Sequence, residues 1–307
     1  MATDEPLEHS ARSVPPARAL AALWLAAARP RTLSMAAVPV GVGAAYAWAT
    51  GSEARWLVFT VTLVAALLIQ VATNLFNDAS DGERGGDGPE RLGPLRVTGS
   101  GLVAAGDVRR AAAVCLALAF LGGVFLVAQG GLFILVLGLL SMAAAYAYSG
   151  GPRPLSYGSL GEVYVIAFFG LAATVGSFYL QAGVAPDQTV AVLGIALGCH
   201  AAAALLVNNV RDTAADLAAG RRTLAARLGR SGSARLYGLF MLAPFALVAL
   251  APGTRGSAAV WLAAPLCMWL AWRFQSMSVG TAMNAQLART ALAQLVFGGL
   301  LAGDLLL

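Results

Sequence analysis

Apolar stretches long enough to cross a bilayer recur along the whole chain, at 33–50, 56–78, 108–127, 131–149, 160–181, 189–210, 233–251, 257–274 and 284–305. In helical form, about 20 apolar residues match the thickness of the hydrocarbon layer. Lipid offers no hydrogen bonds, so each such segment must satisfy its own backbone, which a helix does unaided. The spacing predicts an all-α polytopic membrane protein with about nine transmembrane helices. Composition points the same way, with 59% hydrophobic residues, 11% charged residues and a mean hydropathy of +0.74. A soluble globular chain is excluded.

All twenty basic residues are Arg, and their distribution predicts an orientation. The N-terminal segment and the second, fourth, sixth and eighth loops hold 4, 5, 1, 6 and 2 of them, whereas the remaining loops hold only Arg55 and Arg255. By the positive-inside rule the N-terminus and the even-numbered loops are cytoplasmic and the C-terminus is on the far side of the plasma membrane. Topology thus accounts for the net charge of +5, membrane lipid is the expected environment, and no nucleic-acid partner is implied.

Residues 1–16 are polar, begin with Asp4, Glu5 and Glu8, end in Pro15-Pro16, and read as a disordered tail before one membrane domain spanning 17–307. The stretch 17–28 is too short to span and lacks the basic start of a signal peptide, so it reads as an interfacial helix. Cys115, Cys199 and Cys267 are scattered in apolar runs and suggest neither a disulfide framework nor a zinc site. His200 lies alone within the sixth apolar stretch and reads as a packing residue.

Two polar clusters interrupt this pattern. The second apolar stretch runs into Asn74, Asn77, Asp78 and Asp81, and the sixth runs into Asn208, Asn209, Arg211, Asp212 and Asp216. Asn74 and Asp78 are four apart with Asp81 three further on, while Asn208, Asp212 and Asp216 follow at i, i+4 and i+8, so each set is expected on one helical face. Both copies of Asn-x-x-x-Asp end an even-numbered stretch, four stretches apart. This predicts two parallel four-helix repeats around a central cavity, followed by a ninth helix.

Carboxylates and amides make a hard, oxygen-rich site that suits Mg²⁺, an ion that typically bridges carboxylates to substrate phosphates. Arg84, Arg91, Arg211, Arg221 and Arg222 flank the clusters, and their guanidinium forks suit phosphate oxygens. The loop at 79–107 adds Asp87 and a glycine cluster, Gly85, Gly86 and Gly88, through which backbone N–H groups could approach an anion. A diphosphate at the mouth of an apolar cavity implies an amphiphilic substrate, of which prenyl diphosphates are the obvious class.

These residues resemble the UbiA superfamily of intramembrane prenyltransferases, and within it the branch acting on 1,4-dihydroxy-2-naphthoate. The resemblance rests on Ala28-Arg29-Pro30-Arg31-Thr32-Leu33, Asn74 through Asp87, Gly93-Pro94-Leu95-Arg96, Gly150-Gly151-Pro152, and Asn208 through Leu224. It implies that Asn74, Asp78, Asp81 and Asp87 form one metal-diphosphate motif and Asn208, Asp212 and Asp216 the other. It implies diphosphate contacts from Arg211, Arg221 and Arg222. It also implies a polyprenyl diphosphate donor and an acceptor whose carboxylate pairs with Arg31, Arg84 or Arg153, with Asp81, Glu162 or Tyr146 as the base. The family commonly carries Lys at the position of Arg221 and Asp at that of Glu162. Other acceptors of the superfamily, such as 4-hydroxybenzoate, homogentisate, a chlorophyllide or a sugar phosphate, form the rival enzyme reading. A cation or metabolite transporter is the rival of another class, but would place its carboxylates near the bilayer midplane rather than at span ends.

Overall fold

The computed structural model describes residues 17–83, 92–93, 96–99, 101, 103–151, 154–254 and 257–307. The expected tail at 1–16 lies outside them. Among the described residues all regular structure is helical. Helix α1 (Ala17–Ala28) stops before Pro30, whose ring disfavours the α conformation at the preceding residue. Arg29 adopts a left-handed backbone with φ 53° and ψ 63°, and a 3₁₀ turn at Pro30–Thr32 leads into α2 (Ser34–Ala49). The axes of Ala21–Thr32 and Ser34–Ala49 are bent by 47°.

Helix α3 (Trp56–Glu83) is followed by α4 (Ala105–Ser149), which at about 1.5 Å per residue is too long to be one crossing. It reverses at Gly131, where φ is +62° and ψ −150°, a conformation costly for any residue with a Cβ. Both ends of α4 therefore return to one end of α3. Val108 and Ala112 pack with Phe76 and Ala79, and Ser80 Oγ donates to the Ser149 carbonyl at 2.6 Å. Leu126 and Ile134, flanking the reversal, meet Val58 near the other end of α3. The stretches expected at 108–127 and 131–149 are the two arms of this hairpin.

Helix α5 (Gly161–Val165) continues through a π-helical segment (Ile166–Ala172) into α6 (Ala173–Ala182) as one span. Helix α7 (Gln188–Arg211) is capped by Asp187, whose carboxylate accepts from the Val190 N–H at 2.9 Å. It is the central helix, with 78% of its apolar window buried against 17% for α4. Close approach makes this possible: a Cβ on Gly170 would lie 2.4 Å from the Gly194 carbonyl oxygen and 2.6 Å from Gly198 Cα. Gly194 and Gly198, four apart on α7, form the small-residue face by which membrane helices pack backbone to backbone.

A short α8 (Thr213–Ala218) follows, then α9 (Leu224–Leu250), broken at Gly229 where φ is +64°. A 3₁₀ segment (Ala258–Ala263) leads into α10 (Ala264–Ser276), and α11 (Ala282–Leu306) closes the bundle. Among the described residues six helices are long and apolar enough to cross a membrane, or seven with the bent pair at α1 and α2. With α4 counted as a hairpin and the 3₁₀–α10 segment as a crossing, the arrangement is compatible with nine.

Candidate active site

The C-terminal ends of α3 and α7 converge. Between them lies a polar chamber of about 40 Å³, lined by Asn77, Asp81, Arg96, Asn208, Asp212, Asp216 and Arg221. A second chamber of about 120 Å³, lined by Arg29, Gln70, Asn74, Asn77, Asn208 and Leu287 among others, adjoins it. A third cavity of about 270 Å³ is almost wholly apolar and lies among α2, α3, α4 and the α5–α6 span. Tyr148 lines all three, standing where the polar and apolar spaces meet.

Helix α3 reaches Glu83, past the end at 78 that hydropathy predicts, so helical geometry governs its polar residues. Gln70, Asn74, Asn77 and Asp81 follow at i, i+4, i+7 and i+11 and face the chambers. Asp78 points elsewhere. Its carboxylate accepts from the Val97 N–H at 3.1 Å, the Thr98 N–H at 3.0 Å and the Thr98 hydroxyl at 2.7 Å, and it lines none of the cavities. Asp78, expected as a metal or diphosphate ligand, seats the 96–98 segment, which delivers Arg96 into the polar chamber. Asn74 faces the second chamber and donates through Nδ2 to the Ala28 carbonyl at 2.9 Å, satisfying an orphan acceptor at the end of α1.

Asp81 is ion-paired with both Arg96 and Arg221, and Arg221 also reaches Asp216 at 3.3 Å. The two acidic clusters therefore face each other with one guanidinium between them. That guanidinium lies over the Tyr157 ring at 4.5 Å, and burial lowers its pKa to about 10, leaving it charged at neutral pH.

On the other side, the stripe of Asn208, Asp212 and Asp216 crosses two helices. Asp212, with φ −97° and ψ 7°, ends α7 and precedes α8, while the backbone bonds from Asp212 to Asn208 (3.1 Å) and from Asp216 to Asp212 (2.8 Å) persist. The side chains stay together across the bend. Arg211 lies behind them: its guanidinium clasps the Asp212 carboxylate at 2.8 and 2.6 Å, Asn208 Oδ1 at 2.6 Å and Asn284 Oδ1 at 2.6 Å. It does not line the polar chamber, being committed to orienting the residues that do.

Other expected residues are placed differently. Arg222 is exposed, with its backbone N–H donating to the Tyr157 carbonyl at 2.8 Å. Tyr146 is 48% exposed and packs edge-on against Phe76; the buried tyrosine two residues later occupies the site. Glu162 is buried, accepts from Asn209 Nδ2 at 3.0 Å and lines none of the cavities. Arg84, Asp87 and Arg153 lie outside the described residues.

Residues that motif spacing did not single out complete the site: Asn77, Arg96, Tyr148, Arg29 and Asn284. Asn77 stands four before Asp81, a helical pairing present in the sequence but competing with the 74–78–81 reading. Asn284 bonds Arg211 and donates to the Leu92 carbonyl at 2.9 Å, tying α11 to the cluster.

The chamber's donors to a metal would all be oxygen. Asn77 Oδ1 is buried without a hydrogen-bond partner, and Asp81, Asp212 and Asp216 carry the negative charge. Among the described residues no three Asp, Glu, His or Cys side chains gather closely enough to cage an ion. That set fits a hard cation completing its shell with substrate oxygens and water.

The profile of the UbiA prenyltransferase family matches residues 36–295. The chain belongs to that family. A 1,4-dihydroxy-2-naphthoate octaprenyltransferase of Mycobacterium tuberculosis is 36% identical over 287 residues, covering 92% of this chain and 97% of that relative. The enzyme of the same description from Escherichia coli is 36% identical over 233 residues, covering 74% of this chain and 75% of its own length. The fold is shared with a UbiA homolog from Archaeoglobus fulgidus bound to GPP and Mg²⁺, with a TM-score of 0.61, 16% identity, and 92% and 99% of the two chains covered. The UbiA match runs from α2 into α11 and so includes the chamber-lining ends of α3 and α7.

Proposed function

We propose that the protein transfers a polyprenyl group from an all-trans polyprenyl diphosphate to 1,4-dihydroxy-2-naphthoate, releasing diphosphate and CO₂ and giving a demethylmenaquinol for menaquinone biosynthesis. The observation that carries this reading is the meeting of Asp81, Asp212 and Asp216 with buried arginines at the mouth of an apolar cavity. The naphthoate prenyltransferases similar over most of the chain support the acceptor.

Diphosphate occupies the polar chamber and the prenyl tail the apolar cavity beyond Tyr148. Asp81, Asp212 and Asp216, with Asn77 and Asn208, would hold Mg²⁺, which supplies charge neutralisation for the departing diphosphate. The use of divalent metal is supported by the A. fulgidus homolog bound to GPP and Mg²⁺. Arg96 and Arg221 neutralise Asp81, and their buried forks are positioned to donate to phosphate oxygens. Fixed positive charge stabilises the leaving group in the transition state, where it is worth most in a dry site.

The acceptor ring is assigned to the second chamber. Arg29, projected there by its left-handed backbone, is the guanidinium that reads the acceptor carboxylate, and Gln70, Asn74 and Asn77 face the ring hydroxyls. Tyr148 stands between tail and acceptor and keeps water from the allylic carbon. The arginine asymmetry supports a plasma-membrane protein with its N-terminus and this site on the cytoplasmic side.

Membranes containing the protein should form prenylated naphthoquinol from labelled polyprenyl diphosphate only when 1,4-dihydroxy-2-naphthoate and Mg²⁺ are both supplied. Full turnover in the presence of a chelator would remove the metal from this account.

A further inference from the structure

Charge in the last third of the chain is unbalanced. From residue 217 onward there are eight arginines and a single carboxylate, Asp304, which accepts from the Ala259 N–H far from most of them. Two of these arginines share one aromatic ring: the guanidinium carbons of Arg273 on α10 and Arg289 on α11 lie 5.5 and 5.6 Å from the Trp269 centroid. Arg273 has one long hydrogen bond, to Gln286 Oε1 at 3.4 Å. Arg289 Nη1 is buried with no hydrogen-bond partner, and among the described residues neither arginine has a carboxylate in ion-pair range. Two like charges beside one ring repel unless an anion joins them.

The position of this pair identifies the anion. Asn284, in the first turn of α11, bonds Arg211, so this end of α11 lies level with the polar chamber. Arg289 is five residues further along, about 7 Å deeper by helical rise. Trp269 and Trp272 are 42% and 66% exposed, as expected of aromatic side chains at the headgroup level. An arginine at that depth is costly without an anionic partner.

We propose that the surface around Trp269, where α10 meets α11, binds the phosphate of an anionic phospholipid in the leaflet that adjoins the polar chamber, with Arg273 and Arg289 donating to its oxygens. The guanidinium forks match phosphate geometry, and the missing carboxylate is supplied by the membrane. The site is separate from the three chambers, none of which these residues line.

Native mass spectrometry of the full-length protein in neutral detergent tests this, with phosphatidylglycerol, phosphatidylcholine of the same acyl chains, and inorganic phosphate as probes. Phosphatidylglycerol should bind about tenfold more tightly than phosphatidylcholine. The pair Arg273→Gln and Arg289→Gln should abolish that preference, whereas Arg227→Gln with Arg235→Gln, both exposed, should change it less than about twofold. Equal binding of the two lipids to the unaltered protein would overturn the proposal, a comparison that needs no variant to fold. Displacement of phosphatidylglycerol by an equal concentration of inorganic phosphate, or an equal loss in the exposed pair, would overturn it too. Arg273→Lys with Arg289→Lys keeps the charge but not the fork, and should retain only part of the preference; full retention would contradict the assigned geometry.

Discussion

Arg221, in the turn between α8 and α9, is ion-paired with Asp81 at the end of α3, so a single guanidinium bridges the two halves of the molecule. Its second contact, to Asp216 at 3.3 Å, completes the bridge. Opposed carboxylates would repel across so small a space, and Arg221 with Arg96 offsets that repulsion.

Replacing Arg221 by Ala should lower kcat/KM about 10²- to 10³-fold, the usual loss when one fixed donor to a developing anion is removed. Arg221→Lys retains the charge and should keep activity within about tenfold. Steady-state kinetics with varied prenyl diphosphate checks both.

Asp78 and Asp81, three residues apart, should behave differently. Asp81→Asn is expected to abolish prenyl transfer while leaving the 96–98 backbone seated, because its partners are the Arg96 and Arg221 side chains rather than backbone N–H groups. Asp78→Ala removes the acceptor for two backbone N–H groups and a hydroxyl, and should cost about 2–4 kcal/mol of local stability. Faster limited proteolysis near residues 96–98, together with lost activity, is the expected signature.

This contrast marks what the sequence showed and what it concealed. Hydropathy located the spans, including both arms of the α4 hairpin, because burial in lipid imposes a composition that any window detects. The repeated Asn-x-x-x-Asp located the site. It did not decide which face of α3 looks into the chamber, since 74, 78 and 81 and 70, 74, 77 and 81 are both acceptable helical sets. Neighbours chose between them: the 96–98 segment claims Asp78, and the chamber keeps Asn77. The bond from Arg211 to Asn284 was hidden for the same reason, as the two lie 73 residues apart. Tyr146 and Tyr148 differ only by the direction each faces at the end of α4.

Tyr146→Phe should leave activity within about twofold, because that side chain is 48% exposed and its ring, edge-on to Phe76, is kept. Tyr148→Ala joins the polar and apolar spaces and should divert prenyl diphosphate to hydrolysis. The ratio of free prenyl alcohol to prenylated product, read by chromatography of the labelled chain, should rise about tenfold or more.

Gly170→Val tests the packing that brings α7 against the α5–α6 span. A Cβ there meets backbone atoms that cannot swing aside, so the substitution should destabilise by about 1–3 kcal/mol or more. A lower thermal midpoint in detergent is the expected readout, with no change in metal dependence for the fraction that remains folded.

The most direct test of the central claim offers one labelled all-trans polyprenyl diphosphate to equal concentrations of 1,4-dihydroxy-2-naphthoate and 4-hydroxybenzoate in the same vesicles, with Mg²⁺ present. Label should appear almost entirely in a decarboxylated naphthoquinol, and Asp81→Asn should form neither product. Label in the benzoate, or undiminished naphthoquinol from Asp81→Asn, would contradict the account.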